Sequence, residues 1–190
     1  MAPHGQTRKR IVETTARLLV TQGFHATGMN QVLAESGAPR GSLYFHFPGG
    51  KLELAVEAVQ ALGAELGATL EAILDRQPTV EAGLRALCEM FAKQLKKSGF
   101  RRGCPIATVS LEAGAGPAEL LDACATVFRS WEGELAKRLE LEGRSPKRAR
   151  ALAANLLAII EGTLLLAKAH REAAPLLRAE EAISALLASA

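Results

Sequence analysis

The sequence predicts an all-α chain in which an N-terminal three-helix module, containing a helix-turn-helix, precedes a larger helical domain. Apolar residues make up 48% of the 190 residues and aromatic ones only 4%, so the interior must be filled by Leu, Ala, Val and Ile, which suit closely packed helices. Apolar positions recur at helical spacing, and no alternating valine-rich run marks a strand. Glycine and proline punctuate the chain at helix-length intervals, without an internal repeat. The two parts are expected to meet near residue 50, giving a helix-turn-helix module over 1–50 and a second domain over 51–190.

Thr7 is placed to cap a first helix over 8–22, with Ile11, Thr15, Leu18 and Leu19 inward and Gly23 as its stop. After "GFHATG", a short helix over 29–36 turns Val32 and Leu33 inward. Gly37 supplies a tight turn, and Pro39 suits the first turn of a third helix that ends near Phe45, before Pro48, Gly49 and Gly50. A fourth helix over 51–75 carries Leu52, Ala55, Val56, Val59, Leu66, Leu70 and Ile73. The next starts near Pro78 and fades in "KQLKKSGFRRG". Helices over 104–113, 118–141, 147–170 and 176–187 follow, separated by "GAGP", "EGRSP" and "REAAP".

The net charge of +3 is unevenly distributed: residues 1–51 hold six basic residues against two acidic ones, and the remainder holds 17 against 18. A local contact with a polyanion fits this better than general stickiness, although a solvated face would carry the same surplus. Three cysteines in no CxxC pair argue against a disulfide framework and fit a reducing, cytoplasmic setting. The N-terminus has no apolar run of the kind that targets secretion. The nearly uncharged stretch 151–167 is short for a membrane span and interrupted by Asn155 and Glu161, so it reads as a buried helix with no membrane partner. Gly50 and Lys51 resemble the end of a phosphate-binding loop, but that motif needs Gly at 45 and Ser or Thr at 52, where Phe45 and Leu52 stand. Neither a metal-ligand cluster nor a nucleophile arrangement appears among His4, His25, His46, His170 and the carboxylates; no enzyme activity, metal or cofactor is expected.

The second helix, Gly37 and the third helix form the helix-turn-helix that lays its second helix in a DNA major groove. On that reading Arg40 meets guanine or phosphate, and Ser42 meets base or backbone. Tyr44, His46 and Lys51 bring donors to phosphate. Other roles stay open: Tyr44 as a packing residue, His46 as a helix cap, Thr27 as cap, phosphate ligand or both. Leu43 and Phe47 are expected in the core.

Phe24, Thr27 and "VLAESGAPRGSLYFHFPGGKLEL", with Gly37, Gly41, Leu43, Tyr44, Phe47, Lys51 and Leu54 in register, resemble the N-terminal domain of the TetR family of transcriptional regulators. "HFPGGK" and the later "RGCPIA" are similar to its LmrA and YxaF branch. The resemblance implies a homodimer that binds a palindromic double-stranded operator, usually as a repressor, and leaves it when a small-molecule effector enters the larger domain. Activation, or regulation without an effector, is the alternative. The family's DNA-facing positions carry over to Thr27, Arg40, Gly41, Ser42, Tyr44, His46 and Lys51, and Arg8 is placed to approach from the N-terminus. Asn30 stands where many relatives carry Asp, which leaves the cap and any phosphate contact there open.

In the larger domain, one stripe of the 147–170 helix holds Leu152, Leu156, Ile159 and Thr163, and an adjoining one holds Ala153, Leu157, Ile160 and Leu164. So wide an apolar arc needs more than one partner. Leu152, Leu156, Ile159, Ile160 and Thr163, joined by Leu176, Ile183 and Leu187, are the candidate dimer contacts; burial within one chain is the alternative. Cys88, Phe91, Leu95, Phe100, Cys104, Ile106, Phe128 and Trp131 are candidates for an apolar or aromatic effector pocket, and core packing explains them too. The cysteines read as buried small hydrophobes or as oxidant sensors.

Overall fold

The computed structural model describes residues 4–113 and 117–189, so most of the "GAGP" break lies outside the described residues. Among those residues the elements are all helices: α1 (His4–Ala26), α2 (Met29–Ser36), α3 (Arg40–His46), α4 (Gly50–Asp75), α5 (Val80–Lys97), α6 (Pro105–Glu112), α7 (Ala118–Leu141), α8 (Pro146–His170) and α9 (Ala174–Ala188). They form two compact units, Met1–Glu65 with Pro105–Val127, and Leu66–Cys104 with Phe128–Ala190. α6 and the first half of α7 join the N-terminal module, and α4 and α7 each run through both units.

The first unit is built on α1, which packs against α2, α3 and α6. Ile11, Leu19, Leu43, Phe47 and Leu54 are buried to within 1% of full enclosure, each contributing about 1.5–3 kcal/mol of burial free energy. α1 begins upstream of the expected start, so Thr7 lies inside the helix, buried, and does not cap it. Gly23 interrupts α1 with φ 77 and ψ −178, and a last helical turn follows to Ala26. At Gly63 α4 runs close to α7: a Cβ there would stand 2.3 Å from the Val127 side chain.

The second unit holds α5, α8 and α9 against one another. Thr79 caps α5 by accepting the Ala82 N–H at 3.2 Å, and Ser145 caps α8, with Pro146 in its first turn. These caps satisfy amide donors that the helices leave open. Length and a mean hydropathy of 1.6 would let α8 cross a membrane. Its Leu152, Ala153, Leu156, Ile160, Leu164 and Ala167, however, are buried in this unit as a core helix's would be.

That burial corrects the expected dimer stripe. Leu152, Leu156, Ile160, Leu176, Ile183 and Leu187 lie in the protomer's own core, while Ile159 and Thr163 are half-buried and the Thr163 hydroxyl donates to the Ile159 carbonyl at 2.8 Å. The outward strip of α8 carries Ala151, Ala154, Asn155, Ala158, Gly162, Leu165, Leu166 and Ala169. Small uncharged residues predominate on that strip, with Leu165 and Leu166 exposed among them.

Candidate nucleic-acid interface

α2 ends on Gly37, whose left-handed φ of 62 and ψ of 22 make the tight turn that a side chain would strain. The Ser36 hydroxyl supports it, accepting the Ala38 N–H and donating to the Leu33 carbonyl, each at 3.3 Å. Pro39 then caps α3, where its missing N–H costs nothing. Leu43 and Phe47, both 0% exposed, bind α3 from below as expected. Arg40, Gly41, Tyr44 and Phe45 are consequently turned to solvent, Tyr44 at 63% and Phe45 at 73% exposure, with Ser42 and His46 half-buried beside them. The Phe45 and His46 rings meet edge to face at 5.1 Å. Phe45 was not foreseen as an outward residue, and its place follows from Leu43 and Phe47 taking the inner side of so short a helix.

The flanking residues are less free. The Thr27 hydroxyl donates to the Gly23 carbonyl at 2.6 Å and the residue is only 3% exposed. Gly28 is the N-cap of α2, so Thr27 neither caps that helix nor presents its hydroxyl at the surface, contrary to expectation. Arg8 pairs with both carboxylate oxygens of Glu57 and lies over the Phe47 ring at 5.1 Å, tying α1 to α4 instead of projecting from the N-terminus. The Lys51 ammonium donates to the His25 carbonyl at 3.2 Å and sits 4.6 Å from the Phe24 ring centroid. Partial burial pulls its pKa down, and the Glu112 carboxylate acts in the opposite direction. Arg17 meets Glu35 at 2.8 Å, and Gln31 donates to the same carboxylate, so α1 and α2 are cross-braced. Those two donors, Arg17 first, hold Glu35 below the usual carboxylate range.

Glu112 was missed in the sequence because it stands 88 residues from its partner. Its carboxylate accepts the Phe24 N–H at 2.7 Å, at the break made by Gly23.

The effector-pocket candidates are only partly brought together. In the second unit, Phe128 and Trp131 pack edge to face at 5.6 Å, and Trp131 covers Gly67. Cys88, Leu95 and Cys104 are each buried, while Phe91 and Phe100 are half-buried. Ile106 belongs to the first unit, and the other candidates to the second. Burial pushes the thiols of Cys88 and Cys124 up to about 11, which disfavours the reactive thiolate. Cys104 hydrogen-bonds Glu161, whose pKa is raised by burial and partly restored by that thiol. The other Glu161 oxygen, Oε2, is enclosed and has no partner.

Residues 11–58 match the bacterial regulatory proteins of the tetR family, and residues 80–182 match the LmrA/YxaF-like transcriptional regulator C-terminal domain. The chain is 34% identical to the uncharacterized HTH-type transcriptional regulator YxaF of Bacillus subtilis over 187 residues, covering 98% of each chain. It is 32% identical to the HTH-type transcriptional regulator LmrA of the same organism, covering 97% of this chain and 98% of the other. A TetR-family regulator from Cytophaga hutchinsonii shares the fold, with a TM-score of 0.83 at 21% identity over 100% of this chain and 96% of that one. An outward α3 on a buried Leu43–Phe47 base and the match of both halves agree: the chain belongs to the TetR family of DNA-binding transcriptional regulators, in its LmrA/YxaF-like branch.

Proposed function

We propose that the protein is a dimeric repressor that reads a palindromic operator with α3 and is released by a small apolar or aromatic effector held in the helical domain. The observation that carries the DNA reading is the outward set Arg40, Gly41 and Tyr44 on a helix anchored by Leu43 and Phe47. Arg40 offers a fork to a guanine edge or to two phosphate oxygens; Ser42, Tyr44, His46 and Lys51 supply donors to the backbone. One short reader binds weakly, and a symmetric pair on a palindrome multiplies its affinity and fixes its spacing.

The dimer reading is supported by the outward strip of α8, which carries no charge from Ala151 to Ala169. Its Ala and Gly positions allow a helix of a second copy to approach closely, and exposed Leu165 and Leu166 gain by being covered. The effector reading is supported by Phe128 and Trp131 in one edge-to-face pair. α4 and α7, continuous through both compact units, are the natural carriers of a signal between effector and reader. An effector weakens DNA binding only if it favours a dimer state with the wrong reader spacing. These roles suit a cytoplasmic protein.

Enrichment of duplexes from a random pool, with the bound species weighed by light scattering, tests the proposal. A palindromic winner carrying an even number of chains is expected. Absence of enrichment over nonspecific binding at physiological salt would overturn it.

A further inference from the structure

Gly23 cuts the hydrogen-bond ladder of α1, so the turn after it begins with amide donors the helix does not satisfy. The acceptor is Glu112, the last residue of α6. Its carboxylate receives the Phe24 N–H at 2.7 Å and lies 3.4 Å from the His25 nitrogen. The His25 ring adds a further tie, Nε2 standing 3.2 Å from the Glu112 carbonyl, to which it donates when that nitrogen carries the proton. Gly23 leaves room for this arrangement: a Cβ there would fall 1.9 Å from Glu112 Oε1.

Phe24 and His25 are also the resting place of Lys51, through the ring of one and the carbonyl of the other. Glu112 therefore grips, by their amides, the two residues that seat the lysine, and its charge attracts the lysine directly. All five residues belong to one compact unit.

We propose that Glu112, outside the DNA-reading helices, is a positioning residue for DNA binding: it closes the Gly23 break and so fixes where the Lys51 ammonium is presented to phosphate. The inference rests on the reading of α2–α3 as the DNA reader. Were Glu112 a packing residue alone, its loss would weaken the fold without touching the one ionic contact that Lys51 makes.

The test compares wild type, Glu112→Ala, Glu112→Gln, Lys51→Ala and the Glu112→Ala/Lys51→Ala double variant on a selected duplex and on an unrelated one across a range of salt. Glu112→Ala is expected to weaken both duplexes about tenfold and to lower the salt slope by about one. In the Lys51→Ala background the same change is expected to cost about twofold or less, because the two losses overlap. Glu112→Gln keeps an acceptor oxygen and drops the charge, and should fall between Glu112→Ala and wild type. Unchanged salt slope in Glu112→Ala, or an equal cost with and without Lys51, would overturn the inference. Should Glu112→Ala lose its helical signal, Glu112→Gln carries the same two comparisons. Failure of the wild type to bind either duplex would instead strike the DNA reading, and this inference with it.

Discussion

At the scale of single residues, the proposed DNA contacts of α3, and of Lys51 at the start of α4, divide into groups that position and groups that specify. Lys51→Ala should lower affinity for all duplexes alike and reduce the salt slope by about one, because one phosphate contact and its displaced counterion are lost. Tyr44→Phe should also weaken both kinds of duplex, through one lost donor. Arg40→Ala should relax sequence preference if its fork reads a base; equal weakening on every duplex would move Arg40 to the backbone group. Glu161 gives a prediction of a different kind. Burial raises its folded pKa above the ordinary 4.5, so its protonated form favours the fold and its ionised form opposes it. That contribution is whole below 4.5 and is lost as pH rises through the raised folded value. Glu161→Gln, with no titrating group, should therefore melt above the wild type at about pH 8 and lose that advantage as the pH is lowered toward about 4. Calorimetry across that range checks it, and a wild type that is more stable than the variant at the alkaline end would contradict it.

At the scale of elements, close approaches make the sharpest predictions. Gly63→Ala would press a methyl group into Val127 between α4 and α7, at a cost of about 1–3 kcal/mol. Val127→Ala in the same chain should recover part of that cost, which denaturant unfolding would show; independent, additive losses would mean that the two helices do not meet there. Much at this scale was legible in the sequence. α2 and α7 have the bounds their flanking Gly28, Gly37, Pro117 and Gly143 suggest, and Leu43 and Phe47 occupy the core as their spacing requires. What could not be read was that both apolar stripes of α8 turn mainly inward, since periodicity gives the stripes and only the partner helices α5 and α9 decide how wide an arc is buried. Thr27 was misread for a similar reason. Its hydroxyl suits a cap, a phosphate or a nearby carbonyl, and the Gly23 break supplies the carbonyl. Glu112 was beyond sequence reasoning because the amides it accepts become open only when Gly23 breaks α1.

At the scale of the whole molecule, the proposed function requires two copies, and the uncharged outward strip of α8 is the surface proposed to join them. Ala158→Glu should place a carboxylate where a second chain packs, giving monomers by sedimentation that keep their helical signal yet bind the selected operator far more weakly. An intact dimer in that variant would move the interface elsewhere. The claim on which everything else stands is that α3 is the part of the chain that enters the DNA. A photo-crosslinking side chain placed at Tyr44, compared with one at the more exposed Leu141, tests it most directly. The account predicts adducts to the bases and backbone of the selected duplex from position 44, abolished by unlabelled operator, and none above background from position 141. Equal labelling from both positions, or labelling from 141 alone, would contradict it.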